Sequence, residues 1–365
     1  MTSHPDGTFD RLRELMRSQL IERALPSLAV AVACDGVILW EEGFGWADRA
    51  NRIHATPHTL YSLASISKPI TTTGLMILQE RGLLDLDRPI DDYLGDAKLT
   101  ARVGSAADAT VRRVANHTAG LPLHYQFFYA DQPHRPPPFA ETIRRYANLI
   151  TMPGERHQYS NLGYGLLDHV ISRLSCQSYA DFMRSAVFLP LGMTHASVGI
   201  EPELAPFQAI RYGADGISYP FYDFDHPGGS AVFCSAHDLV RFGMFHLKAH
   251  LPDQKAILSD QTIDTIWFKA SGDIHAQIGD QLRTLVNQAK YDPQQQTLSG
   301  RMLGTIETTD ARRRPHELQL DLKLRDQQLN GALYAVSSSD HGEGGAPERR
   351  RGNALGYWAE LAKAA

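Results

Sequence analysis

Apolar residues at Phe9, Leu12, Leu15, Met16, Leu20 and Ile21 recur at helical spacing, so the chain opens with an amphipathic helix that has one face to bury. The period then changes. Ser27 to Cys34 and Val37 to Trp40 are apolar runs joined at Asp35-Gly36, a pair that tolerates φ > 0 at both positions and so suits a type I′ hairpin turn. From Ser65 to about Cys234 the spacing is mostly helical, punctuated by turns at Gly120-Leu121-Pro122, Pro153-Gly154 and Pro190-Leu191-Gly192. Two long aromatic loops, Tyr125 to Phe139 and Tyr219 to Ser230, interrupt it; their rings either wall a cleft or pack on the core, and the pattern does not separate the two. Ser235 then heads another helix, with Leu239, Phe242, Phe245 and Leu247 on its apolar side.

After about Ile263 the texture becomes that of short strands. His316 to Leu324 alternates strictly between apolar and polar residues, the mark of a strand with one buried and one wet face. Thr265 to Phe268, Ile274 to Ile278, Arg301 to Ile306, Leu329 to Val336 and Ala354 to Leu361 are further candidate strands, and Asp310 to Pro315 and Asp340 to Arg351 read as exposed loops. Several short strands with polar turns suggest a small β-sandwich or β-barrel. The expected organisation is therefore an α+β region over residues 1–262 followed by a β-rich accessory domain over 263–365, which suits a length of 365 residues.

Composition narrows the function. With 36 basic and 41 acidic residues the net charge is −5, which gives no general attraction to nucleic acid or to an anionic membrane. No run approaches the roughly 18 apolar residues of a membrane span. Cys34, Cys176 and Cys234 are too scattered for a disulfide framework and sit in apolar settings that suit small buried side chains. Met1 to Asp6 lacks a basic-then-apolar leader, so a cytoplasmic location is expected, with export the alternative if a leader has been removed. The 16 histidines show no His-Glu-x-x-His or comparable ligand spacing, and no glycine-rich nucleotide loop is present, so neither metal nor cofactor is expected. Nothing in the sequence bears on oligomeric state.

Ser65-Ile66-Ser67-Lys68 places a lysine three residues after a serine at a helix start, on the same face and within reach of the hydroxyl. The helix N-terminus favours developing negative charge, and a partly desolvated lysine can lose enough basicity to accept the serine proton. Tyr159-Ser160-Asn161 follows the turn at Pro153-Gly154. A phenol near an ammonium is favoured as phenolate and can share the base role or protonate a leaving group, and Asn161 can hold the lysine or a substrate amide. Either motif alone is common by chance, marking a helix start with a solvated lysine or a buried tyrosine beside a turn asparagine.

Their order carries more. Leu63 to Lys68, Gly82 to Asp87, Asn116 to Pro122, Pro153-Gly154 followed by Tyr159 to Tyr164, Pro190 to Met193, and Gly228-Gly229 followed by Ser235 to Leu239 resemble, in sequence, the landmarks of class C β-lactamases and the related penicillin-recognising esterases and D-peptidases. The resemblance covers about residues 10 to 260. It implies an antiparallel sheet beside a helical region and acyl transfer to water through a covalent acyl-enzyme, on small esters, β-lactams or D-amino-acid peptides. Ser65 would be acylated, Lys68 and Tyr159 would shuttle its proton, and Asn161 would orient substrate.

One landmark departs. The family carries a third motif, Lys-Thr-Gly or His-x-Gly, on a strand flanking the nucleophile, where it supplies an oxyanion-hole N–H. The late candidate here, His341-Gly342-Glu343-Gly344-Gly345, lies in a polar loop and does not keep that register; His341 is kept as a candidate substrate-binding residue. His226-Pro227-Gly228 matches the short pattern but occupies the family's glycine-rich loop, and is read as structural. Either the tail completes the catalytic sheet in an unusual way, or that part of the sheet is lost and an accessory domain follows. Loss of one oxyanion donor costs on the order of 10² to 10³ in rate. A serine hydrolase is therefore expected, with a hydrolase-derived binding or sensing protein of weak turnover as the alternative.

Overall fold

The computed structural model of the chain describes residues 7–266 throughout, together with the backbone of strands at 290–292, 297–307, 313–325, 328–337 and 355–362. It divides into two compact units, Met1–Ile266 and Trp267–Ala365. The fold is α+β.

The first unit opens as its hydrophobic periods predict. Helix α1 (Asp10–Glu22) leads into β1 (Ser27–Cys34) and β2 (Val37–Asp48), an antiparallel pair closed at Cys34↔Val37, with a short β3 (Ile53–His54) on the far side of β2. Asp35 and Gly36 take φ of +49° and +76°, the two left-handed residues that a type I′ turn requires. Phe9 stacks on Trp40 of β2 with ring centroids 5.0 Å apart, docking the start of α1 on the sheet.

Beyond β4 (Tyr61–Ser62) the chain is largely helical. α2 (Ser67–Glu80), α3 (Val111–Ala115), α4 (Phe139–Tyr146), α5 (Asn161–Ser175), α6 (Tyr179–Met183), α7 (Pro227–Ser230), α8 (Ala236–His246) and α9 (Asp260–Ile266) follow in order. Between them lie β5 (Thr100–Ala101), β6 (Phe127–Tyr129), β7 (Asn148–Leu149), β8 (Ala196–Val198), β9 (Tyr222–Phe224) and β10 (Val232–Cys234). Ile70, Leu75 and Leu78 of α2 and Leu162, Leu166 and Ile171 of α5 are wholly enclosed in one core cluster with Phe188 and Phe245. Each such side chain contributes about 1.5–3 kcal/mol relative to exposure. Serines set the helix starts: Ser160 accepts from the Gly163 N–H, Ser178 from Asp181 and Ser235 from Asp238. β10 runs between β4 and β8 and carries the chain back past the start of α2.

Several sequence expectations change. Thr265 and Ile266 belong to α9, not to a strand, because Ser259 caps the Thr262 N–H and Ile263 is completely buried. Residues 267–268 and Ile274 to Ile278 lie outside the described residues. The two aromatic loops pair with each other as an antiparallel ribbon, Phe127↔Phe224 to Tyr129↔Tyr222. Cys34 and Cys176 are exposed, and only Cys234 is a buried thiol; Cys34 flanks the hairpin turn, and Cys176 ends α5 in a left-handed conformation at φ +56°.

In the second unit, β11 (Lys290–Asp292), β12 (Thr297–Glu307), β13 (Arg313–Arg325), β14 (Gln328–Ser337) and β15 (Leu355–Ala362) form one antiparallel sheet in chain order. It is an open meander, not a closed barrel, among the described residues. The alternating stretch at His316 to Leu324 lies in β13, the middle strand, and Arg313 to Pro315, read as loop, begin that strand.

Candidate active site

Ser65 stands where β4 gives way to α2. The Leu63 N–H bonds to the Val232 carbonyl of β10, and Ala64 then adopts φ +45° before a single 3₁₀ turn over Ala64–Ile66. A left-handed alanine is a strained residue, of order 1–2 kcal/mol, and strain of this kind gathers at functional sites. The turn leaves Ser65 exposed, while the α-helix begins only at Ser67. Ser67 fixes that start by accepting the Val232 N–H at 3.0 Å.

Lys68 is 5% exposed, beneath the serine. Its Nζ donates to Asn161 Oδ1 at 2.8 Å, to the Gly229 carbonyl at 2.9 Å and to Ser65 Oγ at 3.2 Å. Burial lowers the lysine pKa to about 7, so the neutral amine is well populated at neutral pH. The Tyr159 hydroxyl donates to Ser65 Oγ at 2.7 Å, and its ring lies 4.6 Å from Lys68 Nζ. The structure thus brings Ser65, Lys68, Tyr159 and Asn161 together. Burial raises the Tyr159 pKa, which favours the neutral phenol over the phenolate. His341 lies outside the described residues.

Tyr159 and Asn161 are held from the segment after α3. The Ser160 N–H bonds to His117 Nδ1 at 3.1 Å, Ser160 Oγ donates to the Pro122 carbonyl, and the Asn161 N–H reaches the Leu123 carbonyl at 2.8 Å. Asn161 Nδ2 donates to the His124 carbonyl at 3.1 Å, which orients its oxygen toward Lys68. His117 packs against the Tyr159 ring, centroids 4.5 Å apart, and burial pushes its pKa down to about 3, so it is a neutral acceptor. Its positioning role was not read from the sequence, although it sits inside the Asn116 to Pro122 landmark.

The glycine-rich turn closes the floor. The Gly228 N–H donates to buried Asp168, and a Cβ on Gly228 would lie 2.7 Å from the Tyr164 carbonyl oxygen, so only glycine fits. Behind it, the Asp225 carboxylate accepts from His124 Nε2 at 2.8 Å, from His226 Nδ1 at 2.9 Å and from Thr142 Oγ1 at 3.2 Å. Burial alone would raise the Asp225 pKa, but the two imidazoles hold it well below the usual carboxylate range. His226 is fully buried in this network, in keeping with a structural role. In the β6–β9 ribbon Tyr125, Phe127, Tyr222 and Phe224 stack edge to face, yet Tyr125 is 57% exposed and lies 6.2 Å from His226. The aromatic loops, read as cleft walls or as core packing, instead pack chiefly on each other, with Phe128 and Phe224 buried and Tyr125 turned outward.

An exposed serine hydroxyl between a low-pKa amine and a phenol can be deprotonated and reprotonated without a cofactor. The family model of the beta-lactamase family matches residues 11–348. Penicillin-binding protein 4* of Bacillus subtilis (strain 168) is 32% identical over 194 residues, 51% of this chain and 42% of that protein, so the chain spans less than half of that relative's length. Among solved structures, an octameric penicillin-binding protein homologue from Pyrococcus abyssi superposes with a TM-score of 0.61 at 18% identity, covering 97% of this chain and 90% of that one. A class C beta-lactamase from Rhodobacter sphaeroides gives 0.59 at 21% identity, covering 90% of each chain. Likeness at this identity speaks to the fold.

Proposed function

The chain belongs to the beta-lactamase family, and from that premise we propose that it is a serine hydrolase that forms a covalent acyl-enzyme on Ser65. The observation that carries this reading is the placement of Ser65 Oγ 3.2 Å from Lys68 Nζ and 2.7 Å from the Tyr159 hydroxyl. Asn161 Oδ1 and the Gly229 carbonyl can only accept, so they take two N–H bonds from Lys68 and leave its third position facing Ser65. In the neutral amine that position is a lone pair. It takes the Ser65 proton as Oγ attacks the substrate carbonyl carbon, and the proton passes through Tyr159 to the leaving alkoxide or amine as its bond to carbon breaks. Water then releases the acyl group by the reverse path.

The substrate class is a small ester or amide, with β-lactams and D-amino-acid peptides included; Tyr125, beside the site, suits an apolar acyl group. Residues from 267 onward are proposed as an accessory β-domain, since 263–266 complete α9 of the first unit. Intact-mass spectrometry after exposure to a fluorophosphonate and, separately, to a penicillin tests the nucleophile. A single adduct on the wild type, absent from Ser65→Ala, is expected, and an adduct that survives in Ser65→Ala overturns the assignment. The His341 stretch, out of register with the family's third motif, favours a second reading, a binding or sensing protein; it predicts stoichiometric labelling of Ser65 with no measurable turnover of a chromogenic ester.

A further inference from the structure

Glu41 of β2, His58 in the turn before β4 and His237 in the first turn of α8 converge, none of them bonded to Ser65, Lys68, Tyr159 or Asn161, with one donor atom of each within 4.8 Å of the others. Glu41 Oε2 lies 2.7 Å from His237 Nδ1, and the His237 N–H bonds to the Pro57 carbonyl at 3.1 Å. His58 Nδ1 is enclosed and has no hydrogen-bond partner. A third imidazole, His195, stands 4.9 Å from the His58 ring. An unpartnered ring nitrogen beside a carboxylate and two more imidazoles is an arrangement that a cation completes, since burial of an unsatisfied polar atom otherwise costs stability.

We infer that Glu41, His58 and His237 form a binding site for a divalent transition metal of the zinc class, held by two imidazoles and one carboxylate. Ligand distances of about 2.0–2.2 Å around a tetrahedral ion place neighbouring donors roughly 3.3–3.6 Å apart, so the 2.7 Å bond between Glu41 and His237 opens on binding while the other donors, within 4.8 Å, draw in. The Glu41 and His237 side chains are 29% and 23% exposed, which leaves an entry path and a position for water or for His195. A second cluster, His124, Asp225 and His226, is less open to an ion, because its side chains are 7% exposed or less and both imidazoles already bond to Asp225, whereas the first cluster has one such bond, Glu41 to His237, and a free nitrogen on His58. The donors come from three distant segments, which is why no ligand spacing shows along the chain. A bound ion would clip the β1–β2 hairpin and α8 to the turn that leads through β4 to Ser65.

The test uses the untagged full chain, stripped with a chelator and titrated with zinc chloride by calorimetry while its melting temperature is followed. One equivalent should bind with a Kd of about 1 µM or tighter and raise the melting temperature. His58→Ala and His237→Ala should each weaken binding about tenfold or more, with His195→Ala weakening it less, and fluorophosphonate labelling of Ser65 in the metal-free proteins should be unchanged. Glu41→Gln, which keeps the side chain's shape, replaces any histidine variant that fails to fold. No saturable uptake by the wild type, or equal uptake by His58→Ala and His237→Ala, overturns the site.

Discussion

The helical part of the first unit and its N-terminal sheet differ in how firmly they are enclosed. α2 and α5 share a core in which Ile70, Leu75, Leu78, Leu162 and Leu166 are completely buried, whereas seven of the eight residues of β1 are half-buried and the eighth is exposed. Lys68 and Asn161 project from the helical part, and the family's third motif comes from a sheet strand. The proton-handling half of the site is therefore built on close-packed helices that resist displacement. The N-terminal sheet is less enclosed and, among the described residues, presents β1 as an edge.

The largest effect expected is at Lys68. Lys68→Ala should slow acylation by about 10² to 10⁴, measured by stopped-flow labelling with a fluorophosphonate, because the base is removed while the core persists. An unchanged rate would break the comparison at its root, leaving the lysine a buried spectator. Next in size is a pair of core substitutions. Leu166→Ala should cost about 2–5 kcal/mol in urea unfolding, since the wholly enclosed side chain leaves a cavity; Val30→Ala on β1 should cost less than half as much. Equal costs would show that the sheet is as firmly held as the helices.

The hairpin turn and the Ser65-Lys68 spacing were legible because both are local: two adjacent left-handed residues, and one face of one helical turn. Tyr159 and Asn161 needed the order of landmarks as well, since nothing in their spacing ties them to Lys68. His117 was not legible as a positioning group, because its partner is a backbone N–H 43 residues away. The bond of Asp225 to His124, 101 residues away, and that of Glu41 to His237, 196 residues away, were hidden for the same reason. Burial acts on Lys68 and Tyr159 together, lowering the amine's pKa to about 7 and raising the phenol's, a balance that residue spacing does not carry. At the end of α9, apolar residues read as strand are helical because a cap and one buried isoleucine outweigh β-propensity.

A pH series sharpens the same contrast with a smaller effect. kcat/KM should rise as pH passes about 7, where Lys68 loses its proton. The linkage to stability has the opposite character from that of a salt-bridged lysine. The folded pKa lies below the unfolded value of about 10.4, so the folded state binds fewer protons between pH 7 and 10.4 and stability rises with pH across that window. Below pH 7 the cost of the buried charge is present in full. Lys68→Met should therefore raise the melting temperature at pH 6, and the gain should shrink toward pH 10; a gain that grows with pH would show that the lysine is charged and well paired in the folded protein.

The smallest effect is expected at His341. If the second unit is an accessory domain, the oxyanion side of the site does without this residue, and His341→Ala should leave hydrolysis of a chromogenic ester within about twofold, a barrier change under ~0.5 kcal/mol. The division of the chain between Ile266 and Trp267 supports that expectation, whereas the family match, which runs on to residue 348, points the other way. A loss of tenfold or more, with Ser65 labelling slowed in parallel, would mean that the tail supplies the sheet side of the site. The contrast between helices and sheet would then be one of separation along the chain and not of completeness, because the missing donor would come from His341, 276 residues beyond Ser65.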